Sequence, residues 1–172
     1  MEFECANAAT LRNEDVALAM HRSELGRHIG FAVFTPAGRR EFLHLAWHHK
    51  VRRGPYPPER CSIVGPLPFD RISMMTLKKA LWNIGSKVDK NAKAIQIPYG
   101  VNIDPSKGAF DKEGNYKPPA GRDGLTCATF VSEVCRGVGL RLLDEAAWTA
   151  RAEDAEWIEE ICRALSHPDS GA

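Results

Sequence analysis

One cysteine of this chain stands where a thiol could react. In "DGLTCATFVSEVCRG", residues 123–137, Cys127 falls in the first turn of an expected helix, directly after a long polar stretch. A cysteine attacks as thiolate, and a free thiol of pKa about 8.5 is mostly protonated at neutral pH. Two kinds of help can be supplied locally. A helix start presents unpaired backbone N–H groups and the positive end of the macrodipole, which favour an anionic sulfur. An imidazole can take the proton and return it to the leaving group. The other four cysteines offer less: Cys135 and Cys162 sit in the middle of amphipathic patterns as small core residues, and Cys5 and Cys61 have no chemical context.

Six histidines could supply the base, namely His21, His28, His44, His48, His49 and His167. His28 and His44 stand apart, because an expected hairpin pairs the segments that carry them, and a general base needs a second polar residue to orient its far nitrogen. A rival pattern is metal binding by His44, His48 and His49. Their H-x-x-x-H-H spacing suits zinc on a helix, but "REFLHLAW" has strand character and no Glu completes the metalloprotease pattern. "GRDG" lacks the Gly-Lys-Ser/Thr ending of a phosphate loop. No metal or other cofactor is expected.

The elements that must position these groups follow from hydrophobic period. "DVALAMH", "HIGFAVF" and "REFLHLAW" read as three strands, and "TPAG" between the last two supplies the turn of an antiparallel hairpin. "CSIVGPLPF" reads as a further short strand. Asp70 is a plausible cap for a helix in which Met74, Leu77, Leu81 and Ile84 recur at helical spacing, with Gly85 closing it; its methionines and Trp82 read as core packing. "AKAIQIPYG" offers one more strand with Ile95 and Ile97 on a common side. Residues 98–124, rich in Pro and Gly, read as a long flexible loop that could cover a cleft, with Tyr99 or Arg122 reaching a substrate. Helical pattern resumes at Thr126, and a last helix, capped by Thr149, carries Trp157, Ile158, Ile161 and Leu165 on one face.

At 172 residues the chain reads as a single domain, 1–172, with enough length for a substantial core. A formal charge of +1 gives no global field toward nucleic acid or an anionic membrane, and the basic residues Arg39, Arg40, Lys50, Arg52 and Arg53 read as solvated surface. Five scattered cysteines without a C-x-x-C pair argue against a disulfide framework or a thiolate zinc site, so a reducing compartment is expected. No stretch has the basic start and apolar run of a secretory signal, nor the roughly 20 apolar residues of a membrane span. A cytoplasmic location is expected, with export by a signal-independent route still open; oligomeric state is not legible.

The order of pieces, "EDVALAM", "RHIGFAVF", "EFLHLAW" and then "LTCATFV" at a helix start, resembles the circularly permuted NlpC-type papain-like thiol hydrolases, the branch that includes lecithin:retinol acyltransferase and its relatives. The match runs over four short stretches between about Asp15 and Val138. Two departures stand in it: Glu14 replaces the usual glycine, and "LTCATFV" lacks the Asn-Cys-Glu-His of the acyltransferase group. The resemblance implies an α+β papain-like fold, an antiparallel sheet packed against the helix carrying the nucleophile. By motif it assigns Cys127 as nucleophile and backbone oxyanion donor, His28 as general base and acid, and His44 as the residue that orients His28.

The expected activity is cleavage of an amide, peptide or isopeptide in type, through a thioacyl enzyme. The missing acyltransferase motif weighs against the first alternative, acyl transfer to lipid or amine. A second alternative is a binding module on the same fold without turnover. Peptide or another amide-containing molecule is the expected partner.

Overall fold

The computed structural model describes residues 16–23, 26–35, 37–57, 61–91, 93–100, 109–118, 124–144, 147, 149 and 151–166. Among these residues five antiparallel strands form one sheet: β1 (Val16–Ser23), β2 (Gly26–Phe34), β3 (Arg40–Trp47), β4 (Lys50–Pro55) and β5 (Cys61–Pro66), in the order β4-β3-β2-β1-β5. Three helices follow, α1 (Arg71–Lys90), α2 (Cys127–Gly137) and α3 (Glu153–Ser166). The class is α+β, as the sequence predicts. No described helix is long and apolar enough to cross a membrane.

Side chains alternate across a strand with a period of two, and this alternation divides the sheet into two unlike faces. Val16 and Leu18 of β1, Phe31 and Val33 of β2, and Leu43, Leu45 and Trp47 of β3 join one core with Leu77, Leu81 and Ile84 of α1 and Phe130, Val131 and Val134 of α2. The intervening residues Ala17, Ala19, Ala32, Phe34 and Phe42, with Tyr56, form a second buried cluster. Phe31 meets Phe130 edge to face at 6.5 Å between ring centroids, which fixes α2 over the centre of the first face.

Helix ends obey their sequence signals unevenly. The Asp70 carboxylate accepts from the backbone N–H of Ile72 and Ser73, as expected of a cap. The expected stop at Gly85 is overturned: α1 runs on to Lys90. Gly85 is an interior packing residue, because a Cβ there would stand 2.6 Å from Cδ of Arg53. Arg53 itself lies over the Trp82 ring at 4.5 Å and pairs with Glu41 and Asp89, so it bolts α1 to the β3–β4 edge.

Four further expectations change. β4 was not anticipated; its "KVRRGP" hides only Val51, so the alternating signal is too thin to read. "AKAIQIPYG" forms no strand beyond an isolated bridge from Tyr99 to Leu125, although Ile95 and Ile97 are buried. The 98–124 segment is tied to the core where it is described: Ala109 and Phe110 are buried, and Phe110 packs on Phe130 at 5.7 Å. α3 starts at Glu153 and buries no residue fully, with Ile161 and Leu165 packed against the core and Trp157 and Ile158 exposed.

Candidate functional site

Cys127 is the first residue of α2. Thr126 caps the helix: its hydroxyl accepts from the N–H of Thr129 at 3.1 Å, and the Thr129 hydroxyl accepts from the N–H of Thr126 at 2.7 Å. This reciprocal pair satisfies two of the helix's orphan donors. Phe130, Val131 and Val134 turn to the first face of the sheet, and Cys127, one turn before Phe130, is 9% exposed.

Tyr99 is the neighbour of Cys127, its phenol close enough to interact with the thiol. Burial and the neighbouring sulfur both push the phenol above its ordinary pKa, so it stays protonated. Several contacts hold Tyr99 there. The ring lies 5.0 Å from Trp47, the Gly100 N–H donates to Leu125 O, and the Leu125 N–H donates to Pro98 O. Gly100 and Gly124 make this approach possible, since a Cβ on Gly124 would lie 2.9 Å from the Gly100 Cα. Tyr99, expected to reach a substrate, therefore stands beside the nucleophile candidate. Arg122 lies outside the described residues.

The structure brings His28 and His44 together. Their ring centroids lie 6.1 Å apart, and His21, the cross-strand partner of His28, lies 6.4 Å from His44. His44 also stacks on Phe42 at 4.4 Å, which belongs to the second buried cluster. Period-two alternation sets their side of the sheet. His28 is three residues from Phe31 and His44 one from Leu43, so both point away from the face that α2 covers. By this alternation His21, His28 and His44 belong to the face opposite the one that α2 covers. Gly30 belongs to the same face: a Cβ there would stand 2.6 Å from the His44 Cβ.

The imidazole cluster is electrostatically one-sided. Burial, then His28, His21 and Arg52, push His44 down to about 3, and burial with His21 lowers His28. Nδ1 of each of the three rings is buried without a hydrogen-bond partner among the described residues. Among those residues no group of three or more His, Cys, Asp or Glu is arranged to hold a metal ion.

His48, weighed in the sequence only as a zinc ligand, is the histidine tied to the thiol's surroundings. Its Nδ1 accepts from the Tyr99 N–H at 3.1 Å, and the neighbouring His49 N–H donates to Ile97 O at 2.9 Å. Nothing local in "AWHHK" signals this role, because the bond spans 51 residues. Cys135 behaves as read from sequence: burial pushes its thiol up to about 12, which makes it inert at neutral pH. No family model matches the chain, and no curated protein or solved structure matches it either.

Proposed function

We propose that this protein is a cysteine hydrolase of papain-like architecture, cleaving an amide bond through a thioacyl intermediate on Cys127. The observation that carries the reading is the setting of that thiol. It opens a capped helix whose apolar side chains dock on an antiparallel sheet, and the Tyr99 phenol stands beside it. The Cys127 N–H would hold the oxygen of a substrate carbonyl as negative charge develops. The sulfur would then bond to the carbonyl carbon, the amine would leave with a proton, and water would release the acid.

The acid and base assigned by motif is His28, oriented by His44. In the described arrangement its ring faces the other side of the sheet, so the reading requires the His28 end of β2 to turn. The ladder between β2 and β3 runs from Phe34–Arg40 only as far as Phe31–Leu43, leaving residues 26–30 paired with β1 alone.

The separation of thiol and imidazoles favours a second reading, a non-catalytic module of the same architecture. The two are separated by incubating the protein with a panel of peptide amides and with an acyl lipid, then reading the mass of the peptide that contains Cys127. A peptidyl adduct supports amide hydrolysis. A fatty acyl adduct moves the reading to acyl transfer, and the absence of any adduct supports the non-catalytic module.

A further inference from the structure

A single exposed apolar side chain is ordinary on a protein surface; several gathered on one helix are not. Among the described residues the exposed large hydrophobics are Ile72, Met75 and Trp82 of α1 and Trp157 and Ile158 of α3, from 38% to 78% exposed. The sequence places Met75 and Trp82 in the core, but the stripe that α1 buries is Met74, Leu77, Ala80, Leu81, Ile84 and Gly85. Ile72 and Met75, one turn apart, and Trp82, two turns further on, form a second apolar stripe on the outward side of the same helix. On α3, Ile161 and Leu165 pack against the core, while Trp157 and Ile158, one turn earlier, stay exposed.

The two patches carry opposite charge. α1 has five basic residues against the carboxylate of Asp89, a net charge of +4. α3 has five carboxylates against Arg163, a net charge of −4. Arg71 and Lys79 each lie four residues from Met75, and Glu160 lies one turn from Trp157 and from Glu156, so the charges border the apolar side chains. These four make no ion pair among the described residues. An anionic lipid surface would attract α1 and repel α3. A surface that bears both patches matches each of them, and the chain itself is such a surface; its formal charge of +1 sets up little repulsion between copies.

We propose that these faces are an interface between two copies of this chain, α1 of one protomer lying on α3 of its partner, with the apolar side chains in contact and the basic and acidic residues paired around them. Made reciprocally about a two-fold axis, the contact covers both patches of both copies. It needs no chemistry at Cys127 and so stands apart from hydrolase activity.

The test is sedimentation velocity over a dilution series. The unmodified chain should form a reversible dimer. Arg71→Glu with Lys79→Glu should weaken it by about tenfold or more, and Glu156→Lys with Glu160→Lys by a similar factor, because each sets like charges against each other. Ile72→Ser with Met75→Ser, both exposed, should also weaken it by about tenfold. An equal mixture of the two charge-reversed chains should associate again, since every pairing in it is complementary, a result that misfolded variants would not give. A chain that stays monomeric up to about 1 mM overturns the proposal. So does undiminished association in any of the three double variants, or a mixture that stays monomeric. Binding of a monomeric chain to phosphatidylserine vesicles, lost in Arg71→Glu with Lys79→Glu, would overturn it in favour of a membrane surface for α1.

Discussion

Gly30 of β2 and His44 of β3 stand so close that a Cβ on residue 30 would lie 2.6 Å from the His44 Cβ, 2.6 Å from the Leu43 carbonyl oxygen and 2.9 Å from Phe42 Cε2. Two of those three obstacles are the backbone and a stacked ring, which cannot move aside as a flexible tip could. Gly30→Ala should therefore destabilise the fold by about 1–3 kcal/mol, the usual size of overpacking. Urea unfolding checks this as a lower midpoint at unchanged slope. An unaltered midpoint would mean that β2 and β3 lie farther apart.

The His44 ring supplies a pH dependence whose sign is fixed. Its folded pKa of about 3 lies below the unfolded value near 6.5, so between these limits the unfolded chain binds the extra proton. Its contribution is complete above pH 6.5 and is lost progressively as the pH falls toward 3; His28 acts in the same direction. Stability measured in urea at pH 7.5, 5.5 and 4.5 should fall with acid, and His44→Gln should fall less steeply than the unmodified protein. Parallel slopes for the two would contradict the burial of this imidazole.

Glu133 of α2 is a buried carboxylate, accepting from the Ala109 N–H at 2.6 Å and from Arg136 at 2.8 Å. Glu133→Ala leaves a buried N–H unsatisfied, at a cost of about 1–3 kcal/mol. Glu133→Gln keeps an acceptor for Ala109 and should lose less. Thermal unfolding of the two variants ranks them, and equal losses would assign the effect to the ion pair instead.

Thr126→Ala removes the cap that opens α2 at the nucleophile candidate. A loss of about 1 kcal/mol is expected in urea unfolding. Because Thr129 also bonds back to the Thr126 amide, Thr129→Val should lose stability too, and a neutral Thr129→Val would mean that the cap works from one side only.

Much of the fold is legible locally. The turn signal of "TPAG" and the alternation in β1, β2 and β3 suffice for three strands, and Asp70 and Thr126 mark their helix starts. What is not legible depends on distant partners. Gly85 reads as a helix stop because the sequence does not reveal Arg53 lying against it, and Phe110 reads as loop because its pocket on Phe130 comes from a helix 20 residues later. The site shows the same limit. Pairing of His28 with His44 follows from one hairpin, but the face they occupy relative to Cys127 depends on which side α2 docks, and Phe31 and Leu43 decide that. The Tyr99–His48 bond, spanning 51 residues, leaves no local trace at all.

The central claim is that Cys127 forms and releases an acyl intermediate. Its most direct measurement is the time course of nitroaniline release from peptide p-nitroanilides, beginning in the millisecond range, with the unmodified protein and with Cys127→Ala at equal concentration. The account predicts a rapid release of about one equivalent per chain followed by slower steady turnover, both absent from Cys127→Ala while its unfolding midpoint is kept. Continued turnover by Cys127→Ala would contradict it.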